Sequence, residues 1–208
     1  TGVFHDNRYF DVFVEYAKST PEDILVRITA VNRGPDAADL HLLPTLWFRN
    51  DWSKWIAESN RAPEKPHIKQ VEAPAGATAV AAAHPLLGAF IVSCEGDVPL
   101  LFTENETNTE SFGGPPNATP HVKDAFHRHL IHGENGAVSP AQSGTKAAAH
   151  LRFNVPPGKS ITIRCRLHAA GEIDGFRQAF EHQQLPDLVL AHSLHVPAER
   201  CVHQIHRA

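Results

Sequence analysis

The segment FTENETNTE, residues 102–110, sets Glu104, Glu106 and Glu110 beside Asn105 and Asn108. On an extended backbone Glu104, Glu106, Asn108 and Glu110 share one face, because successive side chains alternate across a strand. Such a face could hold calcium through its hard oxygens. It could also supply a paired-carboxylate hydrolase, in which an apolar setting keeps one acid protonated while the other stays ionised. A solvated polar loop has the same composition. Asp51, Glu58 and Asp124 extend the set of candidate acids, with His127 or His129 as an alternative base.

Histidine is abundant, with 15 in the chain, and His121, His127, His129 and His132 crowd into HVKDAFHRHLIH. A strand would align His127 with His129, and a helix would align His129 with His132. Imidazole suits zinc, copper or nickel. The HExxH spacing and a compact carboxylate companion are both missing, so no metal and no cofactor are expected. His127, His129 and His132 are the ligand candidates if one binds, and incidental surface histidines are the simpler reading.

LLPTLWFRNDWSKW, residues 42–55, contains all three tryptophans of the chain. Trp52 and Trp55 are spaced for one turn of helix. An aromatic face beside planar hydrogen-bonding groups is what a pyranose ring needs, since its axial hydrogens stack and its hydroxyls require paired donors and acceptors. The same indoles could plug the end of a core. Arg49, Asn50, Trp52, Trp55, Lys123 and Lys146 are the candidate substrate-binding residues, and carbohydrate is the partner they suit.

Bulk properties narrow the field. At 208 residues and a formal charge of -4, with no long run of either sign, the chain offers no footprint for nucleic acid or anionic lipid. No stretch approaches the ~18 apolar residues of a membrane span, and no export signal opens the chain, so a cytoplasmic location is expected. Cys94, Cys165 and Cys201 are odd in number and widely spaced, which fits free thiols better than a disulfide framework. There is no methionine, so a fragment of a longer reading frame is expected. No nucleophile elbow and no phosphate-binding loop occurs. The sequons at Asn105 and Asn117 carry little weight.

Strands must position these groups. Period-two alternation marks 9–16 (YFDVFVEY) and 24–31 (ILVRITAV), separated by a turn at 19–23. A third strand covers 40–48, in which Pro44 argues for an edge or a bulge. Further strands are expected at 78–83, 89–94, 98–103, 146–155 and 160–167, with long irregular excursions at 50–76 and 104–144 and a short helix within 122–131. The pattern predicts an all-β antiparallel sandwich over 1–170. The tail, 171–208, has helical spacing at Ile173, Phe176 and Phe180, then no sustained period, and reads as appended.

Several stretches taken together, NRYFDVFVEYAKSTPEDILVRITAVNRGP, LHLLPTLWFRNDWSKW, PLLFTENETNTE, HVKDAFHRHLIHG and SGTKAAAH, resemble the N-terminal β-sandwich region of bacterial proteins related to glycoside hydrolase family 63. The resemblance runs in order from residue 3 to residue 170. It implies a large sandwich packed on an α/α barrel, where the barrel carries the catalytic acid and base and hydrolysis of an α-glucosidic bond inverts the anomeric centre. Inversion calls for carboxyls roughly 6.5–9.5 Å apart. No stretch of this chain matches the barrel, so no catalytic residue is carried over. The resemblance assigns Trp47 and Phe48 to packing and Arg49, Asn50, Trp52 and Trp55 to a domain or sugar interface. It also implies self-association or a barrel partner over the bare surface.

Overall fold

The computed structural model describes residues 5–52, 64–73, 75–171, 176, 180, 190–197 and 202–205. Two sheets face each other. The larger has eight strands in the order β12-β1-β2-β11-β6-β5-β4-β8, and the smaller has five, built on β3. The antiparallel sandwich expected from alternation is the observed architecture.

In the larger sheet, β1 (Tyr9–Thr20) and β2 (Asp23–Asn32) form a hairpin whose register pairs Val12 with Ala30 and Tyr16 with Val26. Strand β11 (Ser160–Ala169) lies on the far side of β2 and leads through β6 (Gly88–Glu95) and β5 (Ala77–His84) to β4 (His67–Val71) and the two-residue β8 (Ser143–Gly144). Strand β4 lies inside 50–76, which alternation alone had left as an excursion. Its HIKQV buries only Ile68 among exposed polar residues, too weak a pattern to stand out.

In the smaller sheet, β3 (Ala38–Trp47) pairs with β10 (Leu151–Val155) and β9 (Lys146–Ala149), and β9 pairs with β7 (Leu100–Thr103). The pairs Leu42↔Leu151 and Thr45↔Ala148 keep one register, so β9 and β10 form one strand interrupted opposite Pro44. Pro44 lacks the N–H that a ladder needs. It does not mark an edge: β13 (Val202–Ile205) runs parallel along the other side of β3. The tail is likewise paired in, since β12 (Leu190–Pro197) lies antiparallel to β1 from Tyr9 to Tyr16. Ile173 lies outside the described residues, while the Phe176 and Phe180 rings are 5.3 Å apart.

Phe10, Val12, Val14, Ile28, Leu40, Leu42, Leu151 and Val155 fill the space between the sheets. A second cluster, Ile68, Val80, Phe102 and Ala147, continues it toward the end where β3 and β7 finish. The outer face of the smaller sheet is covered by helix α1 (Ala125–His132), whose Phe126 packs on Leu43, Leu101 and Ala148. Gly133, at φ 69°, ends α1 in the left-handed conformation that glycine adopts without a Cβ penalty. Among the described residues no helix is long and apolar enough to cross a membrane.

Candidate functional site

The carboxyl ends of β3 and β7 and the start of β9 meet at one corner of the smaller sheet. Three local arrangements build this corner. The chain crosses from the larger sheet to the smaller between Ser143 and Lys146, and Thr145 N–H donates to the Thr103 carbonyl at 3.1 Å. A Cβ on Gly144 would collide with that same carbonyl oxygen, so the close crossing requires glycine. Beyond β7 the chain bends at Asn105 and runs beside 121–123, with Glu104 N–H donating to His121 O and Lys123 N–H to Glu106 O, each at 2.9 Å. Beyond β3, Phe48 N–H donates to Thr145 O at 3.0 Å and the Asn105 carboxamide donates to Phe48 O at 2.8 Å.

This scaffold brings together residues separated by up to 93 positions. Lys65 Nζ lies 2.9 Å from Glu104 Oε2 and 2.9 Å from Glu106 Oε1. The Trp52 indole N–H donates to Glu106 Oε1 at 2.9 Å, and Lys65 Nζ sits 5.5 Å from the Trp52 ring centroid. Thr145 Oγ1 donates to Glu104 Oε2 at 2.7 Å and accepts the Asn105 N–H at 2.7 Å. Burial raises the Glu106 pKa, but hydrogen bonds from Lys65 and Trp52, with the Lys65 charge, outweigh burial and hold it below the usual carboxylate range. Burial lowers Lys65, and its bonds to Glu106 and Glu104 more than compensate, leaving it raised. Glu106 is therefore ionised at neutral pH, which suits a counter-ion and charged hydrogen-bond acceptor and not a proton donor.

Of the residues singled out from sequence, Glu104, Glu106 and Trp52 converge. Trp52 is only 5% exposed, so its indole is chiefly a wall of the cluster, with Lys65 over one face. Arg49 is exposed and pairs with Asp51 at 3.5 Å on the loop that follows β3, with Asn50 between them. Trp55 and Glu58 lie outside the described residues.

Lys146 is 2% exposed and cannot present its ammonium to a substrate directly. Its Nζ donates to Lys123 O at 3.1 Å and sits 4.7 Å from the Phe126 ring centroid. Burial, then the nearby Lys123 charge, lower its pKa to about 8 against the opposing pull of Asp124. The Lys123 side chain is exposed. Asp124 precedes α1, accepts a hydrogen bond from Asn108 at 2.9 Å and lies 3.6 Å from Arg128. Lys146 thus lies buried beneath the corner, and Asp124 is tied to Asn108 and Arg128.

The three histidines sit on α1. His127 and His132 meet edge to face at 5.2 Å, and His129 Nδ1 lies 3.4 Å from Glu134 O. Among the described residues no group of three or more His, Cys, Asp or Glu is arranged to hold a metal ion. Asn105 is 5% exposed with its amide engaged, which removes that sequon from consideration. Sequence reasoning missed Lys65 and Thr145. Lys65 sits in EKPH just before the overlooked β4, and recognising that strand would have placed it beside the FTENET segment.

No family model matches the chain. The chain is 35% identical over 185 aligned residues to uncharacterized protein YMR196W of Saccharomyces cerevisiae, an alignment covering 76% of this chain. The chain spans 16% of the length of that yeast protein.

Proposed function

We propose that this chain is a carbohydrate-facing β-sandwich domain of the kind found in family 63-like glycoside hydrolases, acting as a sugar-binding or scaffolding unit of a larger protein. The observation that carries this reading is the convergence of Trp52, Lys65, Glu104, Glu106 and Thr145 at one corner of the smaller sheet. It offers an ammonium bridging two carboxylates, with the buried Thr145 hydroxyl fixing Glu104 from beneath, beside the loop that carries Arg49 and Asn50. Sugar hydroxyls are met by such alternating donors and acceptors. In a longer protein, a barrel domain would supply the acid and base and this corner would form part of the rim. Without the barrel, self-association would cover the same surface.

A free-standing hydrolase is the second reading, because Glu104 and Glu106 share one cluster. The ionised Glu106 does not suit the role of general acid in it. Calorimetric titration with glucose and α-linked glucosides, repeated on Glu106→Gln and Lys65→Ala, tests the binding reading. Saturable heat that both variants abolish supports it, and identical heats in all three proteins overturn it. Release of glucose from aryl α-glucosides by this chain, lost in Glu104→Gln, would move the assignment to the second reading.

A further inference from the structure

Next to Ala147, between the two sheets, lies a half-open pocket with a cavity volume of about 130 Å3. Its origin is legible in β9, which reads KAAA. Ala147 and Ala149 face the larger sheet, where other inward positions of the smaller sheet carry Leu42, Leu151 and Phe102. Across the gap stand Val26, Val80, Val92, Cys94, Cys165 and Leu167. The larger sheet does not close onto the methyl groups, because its strands are held by the ladder on either side.

Several polar groups at the wall already have partners. Thr45 Oγ1 donates to Leu43 O at 2.7 Å. Thr78 Oγ1 donates to Gly96 O at 2.9 Å and accepts the Val98 N–H at 3.0 Å. Cys94 and Cys165 are register partners on β6 and β11 and hydrogen-bond to each other, with the Cys94 thiol also 3.9 Å from Glu95 O. Tyr16 is engaged as well. A buried water needs about two to four polar partners, and this predominantly apolar wall supplies few. Enclosed apolar cavities of similar size, about 150 Å3, admit benzene or xenon.

We infer that this inter-sheet cavity is a binding site for a small apolar molecule the size of a single aromatic ring, separate from the polar corner. A guest would restore the dispersion contacts that the wall atoms lack. The two cysteine sulfurs favour an aromatic guest, since polarizable sulfur packs well at ring edges. Sugars suit it poorly, because their hydroxyls would exchange water for a predominantly apolar wall.

Benzene titration followed by thermal unfolding and by methyl NMR tests the inference. The expected result is a saturable rise in Tm, about 3 °C at ten times the dissociation constant, with shifts confined to the methyls of Val26, Val80, Val92 and Ala147. Ala147→Val fills the space and is expected to abolish the rise; Val80→Ile is a second filling if the first fails to fold. The inference is overturned by no saturable rise in the wild-type chain, by an equal rise in a folded filled variant, or by shifts scattered over the surface. Glucoside heats unchanged by saturating benzene keep this outcome separate from that of the polar corner.

Discussion

The Trp52 indole N–H points at Glu106 Oε1 across 54 positions of sequence, at 2.9 Å, on the same oxygen that receives Lys65. One carboxylate oxygen therefore ties the loop after β3 to the segment before β4, and both to the strand extension beyond β7. Trp52→Phe keeps most of the buried apolar area but removes the donor. It is expected to cost about 1.5–3 kcal/mol, the range for a hydrogen bond to a charged group. Urea unfolding measures it, and Trp52→Ala should cost more, about 3–5 kcal/mol.

On the outer face of the larger sheet, Arg166 grips Asp23 through two bonds of 2.9 and 3.0 Å, and both residues are 3% exposed. Removing one partner strands the other charge away from water. Asp23→Ala is expected to cost about 3–5 kcal/mol, whereas Asp23→Leu combined with Arg166→Met should recover much of that loss. A double-mutant cycle by urea unfolding reads both numbers.

His41 Nδ1 and His150 Nε2 lie 2.9 Å apart with stacked rings, so at least one imidazole must be neutral to accept the proton of the other. Burial lowers both pKa values first. Arg152 lowers His41 further against Asp39, and His41, His129 and Arg152 lower His150. Folded-state values below the unfolded one mean that the unfolded chain binds more protons as pH falls past about 6.5. Stability is therefore full above that pH and declines as pH drops through the folded values. Unfolding midpoints from pH 7.5 to 5.5 should show this slope, and His150→Gln should flatten it.

Lys146 gives the opposite window with the same sign of slope. Its folded pKa of about 8 lies below the ordinary 10.5, so stability should rise as pH climbs between the two values. Lys146→Met removes the buried ammonium and should remove that rise. Comparing wild type with the variant at pH 7.5 and pH 10 isolates the contribution from other alkaline titrations.

Gly144→Ala places a methyl against the Thr103 carbonyl where the chain crosses between sheets. The crossing cannot widen without breaking the Thr145 bond to Thr103. A loss of about 1–3 kcal/mol or more is expected in urea unfolding, because the crossing must shift and Thr145 is displaced from Glu104.

Alternation in β1 and β2 was enough to read the sandwich, because each strand buries one face and wets the other. Strand β4 escaped because only Ile68 is buried along it. The tail escaped because pairing with β1 and β3 is a property of distant partners and leaves no period in LAHSLHVP. Within the site, Glu104, Glu106 and Trp52 were legible as residue types suited to sugar chemistry. Their meeting point was not, because it depends on Lys65 and on the crossing at Gly144. Lys146 was read as a binding group, yet its place beneath Lys123 and Phe126 is fixed by α1 folding over the outer face of the sheet.

The pairing of Tyr9–Tyr16 with Leu190–Pro197 also sets an order of events during synthesis. Once β2 has followed it out of the ribosome, β1 has one side bonded and the other bare, and that side must wait for residues 190–197. Until then it offers an open ladder to any neighbouring nascent chain. Any chain cut off before residue 190 would therefore carry an adhesive flank at β1.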